Sequence, residues 1–153
     1  MENVVLFGHL LGVLAFAAGI VVAAAAFESA RQQERAQEIA LLLGLSRVGA
    51  ALVGLGALLL FVCGLWLVEL AEVGFGTGWI IASIVLFLAA MGLGGLGGQQ
   101  PKRARQLAER LAREGRVASD QLRALLDDPL SRWANVASSA LVLVVLALMV
   151  FKP

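Results

Sequence analysis

Few side chains in this sequence are equipped for chemistry, and each stands nearly alone. His9 is the only histidine and Cys63 the only cysteine, and both lie inside long apolar runs. A neutral imidazole is a common ligand of haem iron and of transition metals. An ionisable group inside a membrane helix is costly, so it is read first as functional. Gly8 and Gly12 flank His9 and would let a flat group such as a porphyrin approach the backbone. His9 is therefore the candidate cofactor-binding residue, and haem b the cofactor it would suit. The competing reading is an interhelical hydrogen bond from His9 to a serine or a backbone carbonyl. One histidine supplies one axial position. The other would be open, or come from Met91, Met149 or His9 of a second protomer in a homodimer.

Glu69 and Glu72 follow an apolar stretch and fall on the same side of a membrane as His9. From there a carboxylate could orient the imidazole or exchange protons with it; otherwise they are acids at a membrane–water boundary. Arg47 follows Ser46 at the start of an apolar stretch, where it would snorkel to headgroups. Cys63 reads as a small buried hydrophobe. No pair among His, Cys, Asp and Glu has metal-site spacing, so no metal centre is expected. The sequence contains no GxSxG, P-loop, HExxH or CxxC motif. The glycine-rich Gly92–Gly98 run follows no strand and is not a nucleotide loop. No reaction is identified.

The elements that must position these residues are membrane helices. Of 153 residues, 60% are hydrophobic and only 15% are Asp, Glu, Lys or Arg. Crossing about 30 Å of hydrocarbon takes roughly 20 apolar residues. Four stretches qualify, at about 3–27, 48–70, 76–98 and 133–151. The first lacks a basic leading region and exceeds a signal-peptide core of about 7–15 residues, so it reads as a retained span. The expected fold is all-α: a four-transmembrane-helix bundle in one domain, with helical segments at about 28–47 and 99–132. Those segments hold Arg31, Arg35, Arg47 and a run from Lys102 to Arg132, while the turn after the second span holds only acids. Basic residues resist translocation. The expected location is a bacterial inner membrane, with both termini outside and the long basic loops cytoplasmic. A net charge of +1 gives no reason to expect a nucleic-acid partner.

Within the first cytoplasmic segment, the first helix is expected to run on and end near Gly44, a suitable C′ residue. In the second, Pro101 suits a first turn, an amphipathic helix with Leu107 and Leu111 ends at Gly115, and Ser119 caps Asp120–Leu126. The basic residues there form a solvated, topology-setting face or a surface for anionic headgroups. Leu45-Ser46-Arg47 and Leu130-Ser131-Arg132 precede the second and fourth spans, which suggests two parallel repeats, each with serine capping the entering helix. Small residues let membrane helices approach closely, and Gly8, Gly12 and Gly19 form one such stripe, with Gly94 and Gly98 a GxxxG pair.

Gly8-His9-Leu10-Leu11-Gly12, Ser46-Arg47, Gly64-Leu65-Trp66, Trp79-Ile80 and Met149-Val150-Phe151-Lys152-Pro153 together resemble a group of uncharacterised bacterial four-helix integral membrane proteins. That group is distantly similar to the copper-resistance D membrane domain and the HemJ-type protoporphyrinogen oxidases. The second similarity implies haem b held by the early-helix histidine, and only His9 carries over. Three functional readings stand side by side. One is haem or porphyrin binding through His9. Another is a non-enzymatic membrane subunit or scaffold packed into a larger membrane complex. The third is a small metal transporter.

Overall fold

The computed structural model describes residues 1–74 and 76–151. Its elements are α1 (Glu2–Arg31), α2 (Ala36–Leu70), α3 (Gly78–Gly97), α4 (Gln99–Arg113), α5 (Asp120–Leu126) and α6 (Pro129–Phe151). Among the described residues the only β pairing is an isolated bridge between Arg35 and Val117. Four helical rods are long and apolar enough to cross a membrane.

The bundle is two antiparallel hairpins, α1 with α2 and α3 with α6. Inside a hairpin the helices meet through small residues. A Cβ on Gly12 would lie 2.7 Å from Leu60 N, and one on Gly19 would lie 2.6 Å from Val53 N. From the α2 side, one on Gly56 would lie 2.5 Å from Phe16 N and one on Gly49 the same distance from Ala23 N. The alternating contacts zip α1 and α2 backbone to backbone. Large side chains join the two hairpins instead. Phe16, Ala57, Phe87 and Val145 form the buried cluster, and the Phe61 and Phe87 rings stack at 5.7 Å.

Helix lengths show that the bundle outgrows a bilayer. At 1.5 Å per residue, the 35 residues of α2 reach about 52 Å, against about 30 Å of hydrocarbon. The surplus forms a cap at the α1–α2 turn. There the end of α1, the start of α2, α4 and α5 enclose a second core that includes Ala30, Ile39, Leu43, Ala108, Leu111 and Leu122. Ile39 and Leu122 are fully buried, each worth roughly 1.5–3 kcal/mol where water is the alternative environment. Polar contacts close the cap. Arg31 donates to Asp127 Oδ1 from Nε at 3.0 Å and Nη2 at 2.7 Å, and Arg123 Nη1 donates to the Arg31 carbonyl at 2.9 Å. Ala118 N donates to Glu34 O at 3.0 Å, tying the α4–α5 linker to the α1–α2 turn.

Helix α4 stands alongside the cap portion of α2. Gly98 keeps right-handed helical dihedrals (φ −78°, ψ −9°), so α4 continues outward from α3. Its buried Ala104, Ala108 and Leu111 face Ile39 and Leu43, and Val117 beyond it pairs at Arg35. The amphipathic face is thus spent on protein. Only Lys102 and Arg103 lie near the end of the span. Arg110 and Arg113 rise about 18 and 22 Å along the helix from Gly98, beyond the screening length of about 8–10 Å.

Several local expectations change. Gly44 does not end a helix: α1 stops at Arg31, and α2 starts at Ala36 and runs through Gly44. Continuous packing against α1 and α4 outweighs one glycine's propensity. Ser46 lies mid-helix for the same reason. Ser131 does not cap α6 either. Asp128 Oδ2 accepts from Ser131 N at 2.9 Å, and Pro129 opens the helix. Other signals match. Ser119 Oγ accepts from Leu122 N at 3.3 Å. Gly115, at φ +64°, closes α4 with Arg116 N donating to Leu111 O and Gly115 N to Ala112 O, a Schellman pair.

Candidate functional site

His9 lies two turns into α1, on the side that faces α2. Its Nδ1 lies 3.0 Å from the Leu60 carbonyl. A carbonyl only accepts, so Nδ1 is the donor in this contact. The ring rests on Gly64: a Cβ there would meet His9 Cε1 at 3.2 Å and Nδ1 at 3.4 Å. Gly64 is therefore part of the histidine's setting.

The neighbouring glycines do not leave a slot. Gly12 abuts the Leu60 backbone, and a Cβ on Gly8 would lie 3.0 Å from Cys63 Sγ. The space read as room for a flat ligand is filled by α2. Met91 and Met149 pack against the Phe16–Phe87 cluster. A partner His9 across a symmetric dimer would need the ring on the outward stripe, and the ring faces α2 instead. The apolar crevice beside α3 has a volume of about 50 Å³, below the roughly 300–1,000 Å³ of ligand pockets, a surface groove of about 370 Å³ lies along α4, and His9 lines neither. The residues present do not fit a porphyrin within one chain.

Glu69 and Glu72 are exposed at the end of α2. Among the described residues neither bonds to His9, whose Nδ1 is held by Leu60. Glu72 adopts φ +53° and Gly74 φ +77°, so these positions shape the turn into α3. Arg47 is exposed on α2 and has no ion pair among the described residues. Gly94 meets Ser138 Oγ at 3.2 Å from its ideal Cβ position, and Ser138 Oγ donates to Ala90 O at 2.7 Å. Gly98 is exposed and touches no other helix. The close approach falls on Gly97, against Asn135 and Ser131 O, because helix periodicity puts i+3 as well as i+4 on one face. Among the described residues no three His, Cys, Asp or Glu side chains could hold a metal.

Backbone zippers inside the hairpins, apolar exterior faces over four bilayer-length helices and a polar cap at one end define an integral membrane protein. The chain belongs to the family described as Predicted integral membrane protein (DUF2269), which matches residues 3–153. No curated protein and no solved structure matches it. The family match accords with the four-helix group named above, while likeness to the copper-resistance and HemJ-type proteins rests on His9 alone.

Proposed function

We propose that the protein is a non-enzymatic subunit or scaffold of a larger membrane assembly, seated in a bacterial inner membrane with its cap in the cytoplasm. The observation that carries this reading is the use of His9: its ring is committed to the Leu60 carbonyl and Gly64, so the one residue suited to a cofactor serves helix packing. The cap adds support. It has its own core and a solvent-facing row of Lys102, Arg103, Arg110 and Arg113, none with an ion pair among the described residues. Arg31 is matched by Glu28 and Asp127, Arg35 by Glu38, Arg105 by Glu109 and Arg116 by Glu114, Arg123 donates to the Arg31 carbonyl, and Arg132 is exposed without an ion pair among the described residues. The basic bias of the cap end supports the cytoplasmic assignment.

The test is native electrophoresis of the protein extracted from its own membranes in mild detergent. The expected species is an assembly well above the 16.0 kDa chain, which shrinks when Lys102, Arg103 and Arg110 are changed to Glu. A monomer in the wild type removes the reading. The competing haem reading predicts a Soret band in the same sample that His9→Ala abolishes.

A further inference from the structure

One charged face of the cap is left unmatched, and we propose that it docks an acidic helix of a partner protein. This rests on the reading of the protein as part of a larger assembly and names the partner's chemistry. Arg103, Gln106, Arg110 and Arg113 are exposed along α4. They point away from Ala104, Ala108 and Leu111, which α4 buries in the cap. From Arg103 to Arg113 the face runs about 15 Å at 1.5 Å per residue. A groove of about 370 Å³ follows it, lined by Gln106, Glu109, Arg110, Arg113 and Glu114.

Two carboxylates of the groove stand where they could neutralise its arginines, and they pair elsewhere. Glu109 precedes Arg113 by four residues, yet its partner is Arg105 at 3.7 Å. Glu114 follows Arg110 by four residues, yet its partner is Arg116 at 3.4 Å. Arg103, Arg110 and Arg113 are thus left with no ion pair among the described residues. Arginine's planar fork grips a carboxylate through two hydrogen bonds. Forks spaced seven and three residues apart are complementary to carboxylates at the same spacing on a helix laid alongside. Lipid headgroups are not the occupant, because Arg110 and Arg113 stand about 18 and 22 Å along α4 from Gly98, beyond the screening length of about 8–10 Å. A nucleic-acid strand is disfavoured, because Glu109 and Glu114 in the groove repel its phosphates.

The test replaces Gln106 of the full chain with the photoreactive p-benzoylphenylalanine, irradiates native membranes and sequences the cross-linked peptide by mass spectrometry. The expected product is a partner segment with two or more Asp or Glu residues three, four or seven positions apart. Arg110→Glu with Arg113→Glu should cut its yield about tenfold, and changing those partner carboxylates to Arg should restore it. Arg35→Gln, at an exposed arginine already paired with Glu38, should leave the yield unchanged. Cross-links to lipid, to nucleic acid, to this chain alone or to a segment without carboxylates overturn the proposal, as does a yield indifferent to Arg110 and Arg113. A large assembly on native electrophoresis with no cross-link at position 106 overturns this docking site alone. A monomer there overturns the subunit reading and the docking site together.

Discussion

Replacing Gly56 with alanine tests whether backbone contact holds the first hairpin together. The added methyl would sit 2.5 Å from Phe16 N and 2.9 Å from both Gly12 O and Phe16 Cα. Ordinary contacts lie at about 3.5–4.0 Å, so α1 and α2 must part locally by roughly 1 Å. A gap of about 0.5–1 Å already forfeits a quarter to a half of a dispersion well. The loss spreads to Gly12, Gly19 and Gly49, which share the seam. Overpacking of this kind costs roughly 1–3 kcal/mol. Gly54→Ala on the same helix is the control, since its Cβ would meet nothing within 4 Å. It should be neutral or slightly stabilising, because glycine costs helices about 1 kcal/mol relative to alanine in water. The assay is reversible unfolding of the reconstituted protein. Equal stabilities for Gly56→Ala and Gly54→Ala would refute the reasoning.

Gly12→Leu should be more damaging than Gly56→Ala, visible as a lower thermal midpoint and loss of monodisperse protein; an unchanged midpoint would place Gly12 against lipid. His9→Ala, which removes the bond to Leu60 O, should cost about 0.6–2 kcal/mol, and wild type and variant should both lack a Soret band. Asp128→Ala removes the cap on Ser131 N and should lower stability by about 0.5–2 kcal/mol, measured by the same unfolding assay, with Asp128→Asn recovering most of it. In a Cys63→Ala background, cysteines at positions 110 and 74 should react with an impermeant thiol reagent from opposite sides of the membrane, position 110 from the cytoplasm. Labelling of both from one side contradicts the hairpin arrangement.

The spans were legible because bilayer thickness imposes a length on any apolar helix, and this chain keeps its charges outside those lengths or, as with Glu69, at their ends. Ser119 and Gly115 were legible because caps depend on local chemistry. What escaped was pairwise. Gly44 and Ser46 look like a stop and a start in isolation, but α2 is held continuous by Ile39 and Leu43 packing into the cap. Gly98 looked like half of a packing pair, yet only the rotation of α3 against α6 decides that Gly97 makes the contact. His9 was legible in part: an interhelical hydrogen bond to a backbone carbonyl stood among its readings, and what the sequence could not supply is the particular partner, Leu60 O, 51 positions away. The basic face of α4 carried two readings, a solvated face first and a surface for headgroups second, and the structure places its apolar side against α2.

The unequal connections of the two hairpins have a consequence for biogenesis. Between α1 and α2 lie only residues 32–35, so their seam can close as soon as α2 leaves the ribosome and enters the bilayer, as a local, low-contact-order event. Helix α3 has no such neighbour. Its partner α6 begins only after Gly97 is followed by α4, α5 and their linkers, so the faces of Ala90, Gly94 and Gly97 must wait in lipid while more than thirty further residues are synthesised. During that interval α4 can already dock on the finished first hairpin through Ile39 and Leu43 and hold α3 nearby. Order of synthesis thus makes the contacts of α4 with α2 available before those of α3 with α6.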